Sequence, residues 1–243
     1  MKPEGEVVGR VAELWRYPVK SMRGERCDSL ALEERGVLGD RLHALRTAQG
    51  KLGSGKNTER FQAIRGLIDF GASLRDAQLW IEFPGGRRLQ AGDPELNAAL
   101  SETLEQPLEL VRETQVSHLD EGPVHLLTSG SMDWLRASLG EAASDVRRFR
   151  PNLLLETPGQ AGRVEESWLG RSLALGPHLR LRVLGLAPRC PMTGMGQEEL
   201  HRAPRVLGHL ARTTGAQFGV YAAVSCAGSV QAGAEVRLLP EGS

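Results

Sequence analysis

Aromatic residues are scarce in this 243-residue chain: five phenylalanines, four tryptophans and two tyrosines, 5% of the sequence. Aliphatic side chains must therefore pack the core. Cysteine is rarer still. The three present, Cys27, Cys190 and Cys226, are an odd set with no CxxC pair. That excludes a disulfide framework, argues against a structural zinc site, and leaves too few thiolates for an iron–sulfur cluster held by this chain alone. Net charge is also missing, with 30 Lys and Arg against 30 Asp and Glu. A nucleic-acid partner is therefore not expected, because such binders carry a basic excess that neutralises phosphates. No apolar run approaches the roughly 18 residues of a membrane span, and the opening MKPEGEVVGR lacks the apolar core of a signal peptide. The expectation is a cytoplasmic protein without a membrane partner. What remains is ordinary for a globular chain: 40% hydrophobic and 25% charged residues, long enough for one large domain or two sharing a core.

Hydrophobic patterning predicts many short strands and three helices, hence a mainly β fold with peripheral helices (α+β). Strands are expected at residues 7–19, 38–45, 79–83, 152–155, 179–183, 220–224 and 236–239, from β-branched runs, alternation or short buried apolar stretches. At Leu184-Gly185-Leu186 the alternation slips, which predicts a bulge just before Cys190. One helix should begin at Asp93-Pro94, with Asp93 as its cap and Leu96, Leu100 and Leu104 on one face, and stop before Pro107. A second should run from Thr128 or Ser129 to Leu139 and end at Gly140. A third should cover residues 204–213. The first helix and Pro107 place a seam near residue 110, dividing the chain into residues 1–110 and 111–243.

Several stretches carry chemistry. In Leu186-Ala187-Pro188-Arg189-Cys190-Pro191-Met192-Thr193 two prolines stiffen the loop around Cys190. Arg189 is a neighbouring cation of the kind that favours a thiolate, and soft thiolates suit soft metals. On the local sequence alone the same cysteine reads first as a small buried hydrophobe, as most free cysteines are. Arg147-Arg148-Phe149-Arg150-Pro151-Asn152 puts three arginines ahead of a strand, suited to bidentate phosphate contacts or to a solvated charged face. Tyr17-Pro18-Val19-Lys20-Ser21 offers an ammonium and a hydroxyl just past a strand end, with Gly39-Asp40-Arg41 further on. Gly50 to Asn57 approaches the phosphate-loop pattern GxxxxGK[ST], but Asn57 lacks the hydroxyl that binds Mg²⁺. A nucleotide hydrolase is not expected, although the glycines and lysines could cradle another anion. The six histidines show no metal-ligand spacing and read as structural or surface residues.

Taken together, YPVKS, GDR, KLGSGKNTERF, DEGPVHLLTSGS, RFRPN, ESWLGRSLALG, PRCPMT and FGVYAAV resemble the MOSC superfamily, the domain at the C-terminus of molybdenum-cofactor sulfurases, and its amidoxime-reducing relatives. RFRPN followed by W-x-G-x-x-L-x-x-G and PRC in that order is the specific part. The resemblance covers nearly the whole chain and implies an N-terminal MOSC-associated β-barrel domain followed by a MOSC-type β-barrel. It implies a molybdenum–molybdopterin cofactor, with Cys190 as metal ligand and catalytic centre. Lys20, Ser21, Arg41, Asp120, Arg150, Asn152, Arg189 and Tyr221 match cofactor-binding positions. Pro188 stands where some relatives carry serine, while Cys27 and Cys226 match no family cysteine. The implied activity is an oxidoreductase that removes oxygen from a small N-hydroxylated substrate, with electrons delivered by a separate protein. The alternative is a sulfur-carrier or cofactor-carrier module, since sulfurases join this domain to a pyridoxal-phosphate domain that this sequence lacks. A cysteine-nucleophile enzyme would need a base near Cys190, and no local signature supplies one.

Overall fold

A computed structural model describes residues 5–242. Its centre is a closed barrel of seven strands. Around the ring run Leu153–Glu156, Val124–Thr128, Gln217–Cys226, Leu179–Pro188, Ser172–Leu175, Glu235–Leu238 and Glu6–Arg16, the last pairing back onto Leu153–Glu156. All neighbours are antiparallel except Val124–Thr128 with Leu153–Glu156. The interior alternates as the pleat requires: Val11, Leu126, Leu155, Leu173, Leu181, Val220 and Val236 are all essentially inaccessible. The long Leu179–Pro188 strand shifts register between Val183 and Gly185, at the expected bulge. A bulge increases local twist and re-aims the residues beyond it, and Cys190 lies five residues further on.

Three helices sit outside the barrel. α1 is Leu96–Thr103, α2 Ser129–Leu139 and α3 Arg205–Thr214. α2 and α3 pack around Phe149 and Phe218 in a second cluster, burying Met132, Leu135, Val206 and Leu210. α1 belongs to a third core with Leu45, Phe70, Ile81 and Phe83, roofed by two small sheets. One runs Leu108–Arg112, His43–Thr47, Leu52–Ser54, Phe61–Ala63, and the other Arg88–Gln90, Gln78–Glu82, Gly71–Arg75. No helix among the described residues is long and apolar enough to cross a membrane.

Two expected elements moved. Residues 38–42 form a turn, and the strand begins only at His43. Gly39 and Arg41 both take positive φ (81° and 47°), and Asp40 accepts a hydrogen bond from the Tyr17 backbone N–H at 2.8 Å. α1 starts at Leu96, not at residue 94, because Asp93 Oδ1 accepts from the Glu95 N–H in a side-chain turn that precedes the helix. The chain does not divide in space as a single cut near residue 110 suggests. Strand Glu6–Arg16 closes the barrel, whose other six strands all lie beyond residue 123.

Candidate functional site

The Tyr17–Ser21, Asp40–Arg41, Arg148–Asn152 and Pro188–Met192 segments converge on one cavity in the barrel wall. Ser21, Arg41 and Arg150 are non-glycine residues with φ of 64°, 47° and 54°. Left-handed backbone at such residues costs about 1–3 kcal/mol each, so three on one cavity mark a place where surrounding structure enforces the shape.

The cavity is cationic. Lys20, Arg41, Lys56, Arg150 and Arg189 line it, against Asp120 and Glu121. Lys20 is buried, donates to the His118 carbonyl at 2.9 Å, sits 4.1 Å over the Phe61 ring and meets Asp120 at 3.1 Å. Burial pushes its pKa down to about 8, partly offset by Asp120. Arg41 pairs with Asp40 at 2.5 Å and donates to the Arg150 carbonyl at 3.2 Å. Arg41 and Arg150 share the Tyr17 ring, at 4.5 and 4.2 Å. Arg150 is buried and donates to the Met22 carbonyl at 2.6 Å, but its Nη2 has no partner. Burial, then Arg41, lowers its pKa to about 10.

Cys190 is half-buried and opens a single helical turn, Pro191–Gly194. Its carbonyl accepts from Thr193 N and Thr193 Oγ1 at 3.1 and 3.0 Å, which fixes the loop on the far side of the sulfur. Arg189 lines the cavity and its guanidinium is engaged by the surrounding protein. Its guanidinium donates to the Phe149 carbonyl at 2.8 Å and approaches His125 Nε2 at 3.2 Å, while its Nε is buried without a partner. Lys56 is the cation that senses the Cys190 charge. Burial works against its ammonium, but Asp120, then Cys190 and Glu121, carry its pKa upward.

Lys20, Ser21, Arg41, Asp120, Arg150, Arg189, Cys190 and Tyr221 all line this cavity. Asn152 does not. It is buried beneath, its Oδ1 accepting from the His125 N–H at 3.1 Å and its Nδ2 donating to the Trp15 carbonyl at 3.3 Å. Sequence reasoning left Lys56 among the glycines and lysines that could cradle an anion and read His125 as a structural or surface residue. Lys56 belongs to the phosphate-loop decoy, which folds so that Gly55 lies against Met192. A Cβ on Gly55 would fall 2.3 Å from Met192 Cγ, so glycine there permits the close approach. His125 had no ligand spacing to flag it. The only available signal was its place in DEGPVH, five residues after Asp120.

A MOSC domain model matches residues 113–237, and a MOSC N-terminal beta barrel domain model matches residues 8–124. The chain belongs to the MOSC family. That family is associated with molybdopterin cofactor binding. Among solved structures, the chain is similar to the YuaD protein from Bacillus subtilis, at 11% identity and TM-score 0.52, covering 95% of this chain and 94% of that one. At this identity the likeness speaks for the fold alone. YiiM from Escherichia coli (12% identity, TM-score 0.46, 96% of this chain, 71% of that one) and YiiM from Geobacillus stearothermophilus (19%, 0.38, 50% and 56%) also match. No match was found among curated proteins.

The donor set fits such a cofactor. Among the described residues no three His, Cys, Asp or Glu side chains could jointly hold a metal ion. A metal at Cys190 would take its other ligands from the cofactor, as a pterin dithiolene provides. The unpartnered Arg150 Nη2 and Arg189 Nε are buried guanidinium donors on the same cavity, suited to an anionic oxygen group.

Proposed function

We propose that this protein is a molybdenum-cofactor oxidoreductase that reduces small N-hydroxylated substrates such as amidoximes. The observation that carries the reading is one soft donor, Cys190, beside an unusual density of cations in a single cavity. Cys190 would supply the protein thiolate to molybdenum, with Lys20, Ser21, Arg41, Arg150 and Arg189 around the pterin phosphate and Asp120 and Tyr221 along its flank. Bound there, the group supplies the two-electron redox chemistry that oxygen removal from an N–OH substrate requires. The chain's own residues bind and orient. Arg41 and Arg150, stacked on Tyr17, present preorganised positive charge. Lys20 and Lys56 hold the Asp120 carboxylate at the entrance, at 3.1 and 3.2 Å. Asn152 acts from beneath, through His125. Electrons would come from a donor outside these residues, whose three cysteines are too few for a cluster of their own.

The test is metal and pterin content of protein made in a host with the cofactor pathway. About one molybdenum per chain is expected in the wild type, with the metal largely lost in Cys190→Ala while the circular dichroism spectrum is unchanged. Full molybdenum retention in that variant would sink the ligand assignment. Turnover of benzamidoxime with an artificial electron donor separates enzyme from carrier, because a loaded but inactive protein supports the carrier reading.

A further inference from the structure

His125 is a buried titratable group that the binding roles above leave unexplained. It sits at the start of strand Val124–Thr128, opposite Tyr221, with its ring 5.4 Å from the Tyr221 ring. Asn152 grips its backbone from both sides: the Asn152 N–H donates to the His125 carbonyl at 2.8 Å, and Asn152 Oδ1 accepts the His125 N–H at 3.1 Å. Room for the imidazole is made by Gly219, where a Cβ would fall 2.7 Å from His125 Nε2 and 2.6 Å from the Leu126 carbonyl oxygen. Gly219 takes φ +79°, which glycine alone adopts cheaply.

The ring's two nitrogens face different chemistry. Nε2 lies 3.2 Å from Arg189 Nη1. A guanidinium has donors and no acceptor, so this contact is attractive only if Nε2 carries no proton. The remaining proton is then on Nδ1. The competing arrangement, Nε2–H donating to the Phe218 carbonyl at 3.4 Å, would point an N–H at the guanidinium. Burial, followed by Arg189 and Arg41, holds the ring's pKa well below its usual value, and a neutral ring is what an accepting Nε2 requires.

We propose that His125 is a positioning residue: its backbone held by Asn152, it stands as the Nδ1–H tautomer, and its bare Nε2 holds the Arg189 guanidinium on the cavity that Cys190 also lines. The hold leaves Arg189 Nε buried without a hydrogen-bond partner. This joins RFRPN to PRC through a residue in neither motif. The part concerning bound anion rests on the cofactor reading; the tautomer and the Arg189 contact do not.

Long-range ¹⁵N–¹H NMR of cofactor-free protein decides the first part, with His125→Gln identifying the signal. The expected result is a protonated Nδ1 and a bare Nε2. A protonated Nε2, or an imidazolium at neutral pH, overturns the proposal. Pterin content, measured by fluorescence after release, decides the second. His125→Phe keeps the ring but loses both polar atoms and should lower pterin content roughly tenfold, within the range seen when supports behind a bound group are removed. His125→Gln can still accept at Oε1 and donate at Nε2, and should stay within about threefold. In an Arg189→Met background, His125→Phe should reduce pterin no further, whereas independent losses would remove Arg189 as the held group. Wild-type pterin content in His125→Phe overturns the positioning role. If His125→Phe does not fold, the tautomer and the His125→Gln rescue still decide. If the wild type itself carries no pterin or molybdenum, the cofactor reading fails while the NMR result still stands or falls alone.

Discussion

A buried lysine is costly to keep charged, and Lys20 carries that cost in a cavity shared with Arg41 and Lys56. Its folded-state pKa of about 8 lies below the unfolded value of 10.5. A lysine shifted downward favours the fold most above its unfolded pKa, and that contribution is lost as pH falls through the folded value. At neutral pH the charged ammonium therefore weighs against the ligand-free fold, until an anion enters. Lys20→Met should raise the melting temperature of cofactor-free protein most near about pH 7, with the gain shrinking toward about pH 10. Added phosphate should narrow the gap at neutral pH by stabilising the wild type. A difference between wild type and variant that is flat with pH would remove Lys20 as the strained cation. Most of this site was legible before the fold was known, because arginines, the Lys-Ser pair and the proline-bracketed cysteine fall in ordered motifs. Lys56, noted only within a loop that could cradle an anion, and His125 were not placed there, because what brings them to the cavity is spatial. Gly55 lets one loop lie against Met192, and Gly219 leaves the space that an imidazole fills. Asn152 lies differently from the other expected residues: its side chain meets the His125 backbone below the cavity.

Among the elements, α2 followed its local chemistry closely. Thr128 caps it, accepting from the Ser131 N–H at 3.1 Å, and Gly140 ends it with φ 80°. The strand at 43–47 and the start of α1 were displaced because turns at Asp40 and Asp93 use side-chain hydrogen bonds that hydrophobic periodicity does not register. The same blindness hides Glu165, which is inaccessible to solvent and accepts from Thr128 Oγ1 at 2.6 Å and Ser131 Oγ at 2.5 Å. A carboxylate beside a helix N-terminus is favourable there, yet burial outweighs these partners and raises its pKa. An acid whose pKa rises on folding stabilises most below its unfolded pKa and loses that contribution as pH climbs through the folded value. Glu165→Gln keeps the shape without the charge, so wild type should lose stability relative to this variant as pH rises above about 4.5. Urea unfolding at several pH values checks this, and parallel stability curves would contradict it. Glu165→Ala should cost about 1–3 kcal/mol at all these pH values, because Thr128 and Ser131 lose a buried acceptor.

Across the whole molecule, the site belongs to both halves of the sequence. Lys20, Ser21, Arg41 and Lys56 come from the region before residue 110, and Arg150, Arg189, Cys190 and Tyr221 from the region after it. The barrel is shared in the same way. Strand Glu6–Arg16 pairs with Glu235–Leu238 on one side and Leu153–Glu156 on the other, and its Val8, Val11 and Leu14 are buried in the barrel core. Removing it opens the ring, leaves two unpaired edges and uncovers that core, at about 1.5–3 kcal/mol for each large side chain exposed. Three such side chains amount to a large part of the 5–15 kcal/mol that holds a typical domain together. A fragment of residues 113–243 should therefore fail to fold, although it contains the whole MOSC match at residues 113–237. Loss of near-ultraviolet circular dichroism and of cooperative urea unfolding is the expected result. Supplying residues 5–18 as a separate peptide should restore part of both, because the missing strand is a continuous segment with paired neighbours waiting on either side. A fragment that unfolds cooperatively without the peptide would mean that the ring does not depend on its first strand for closure.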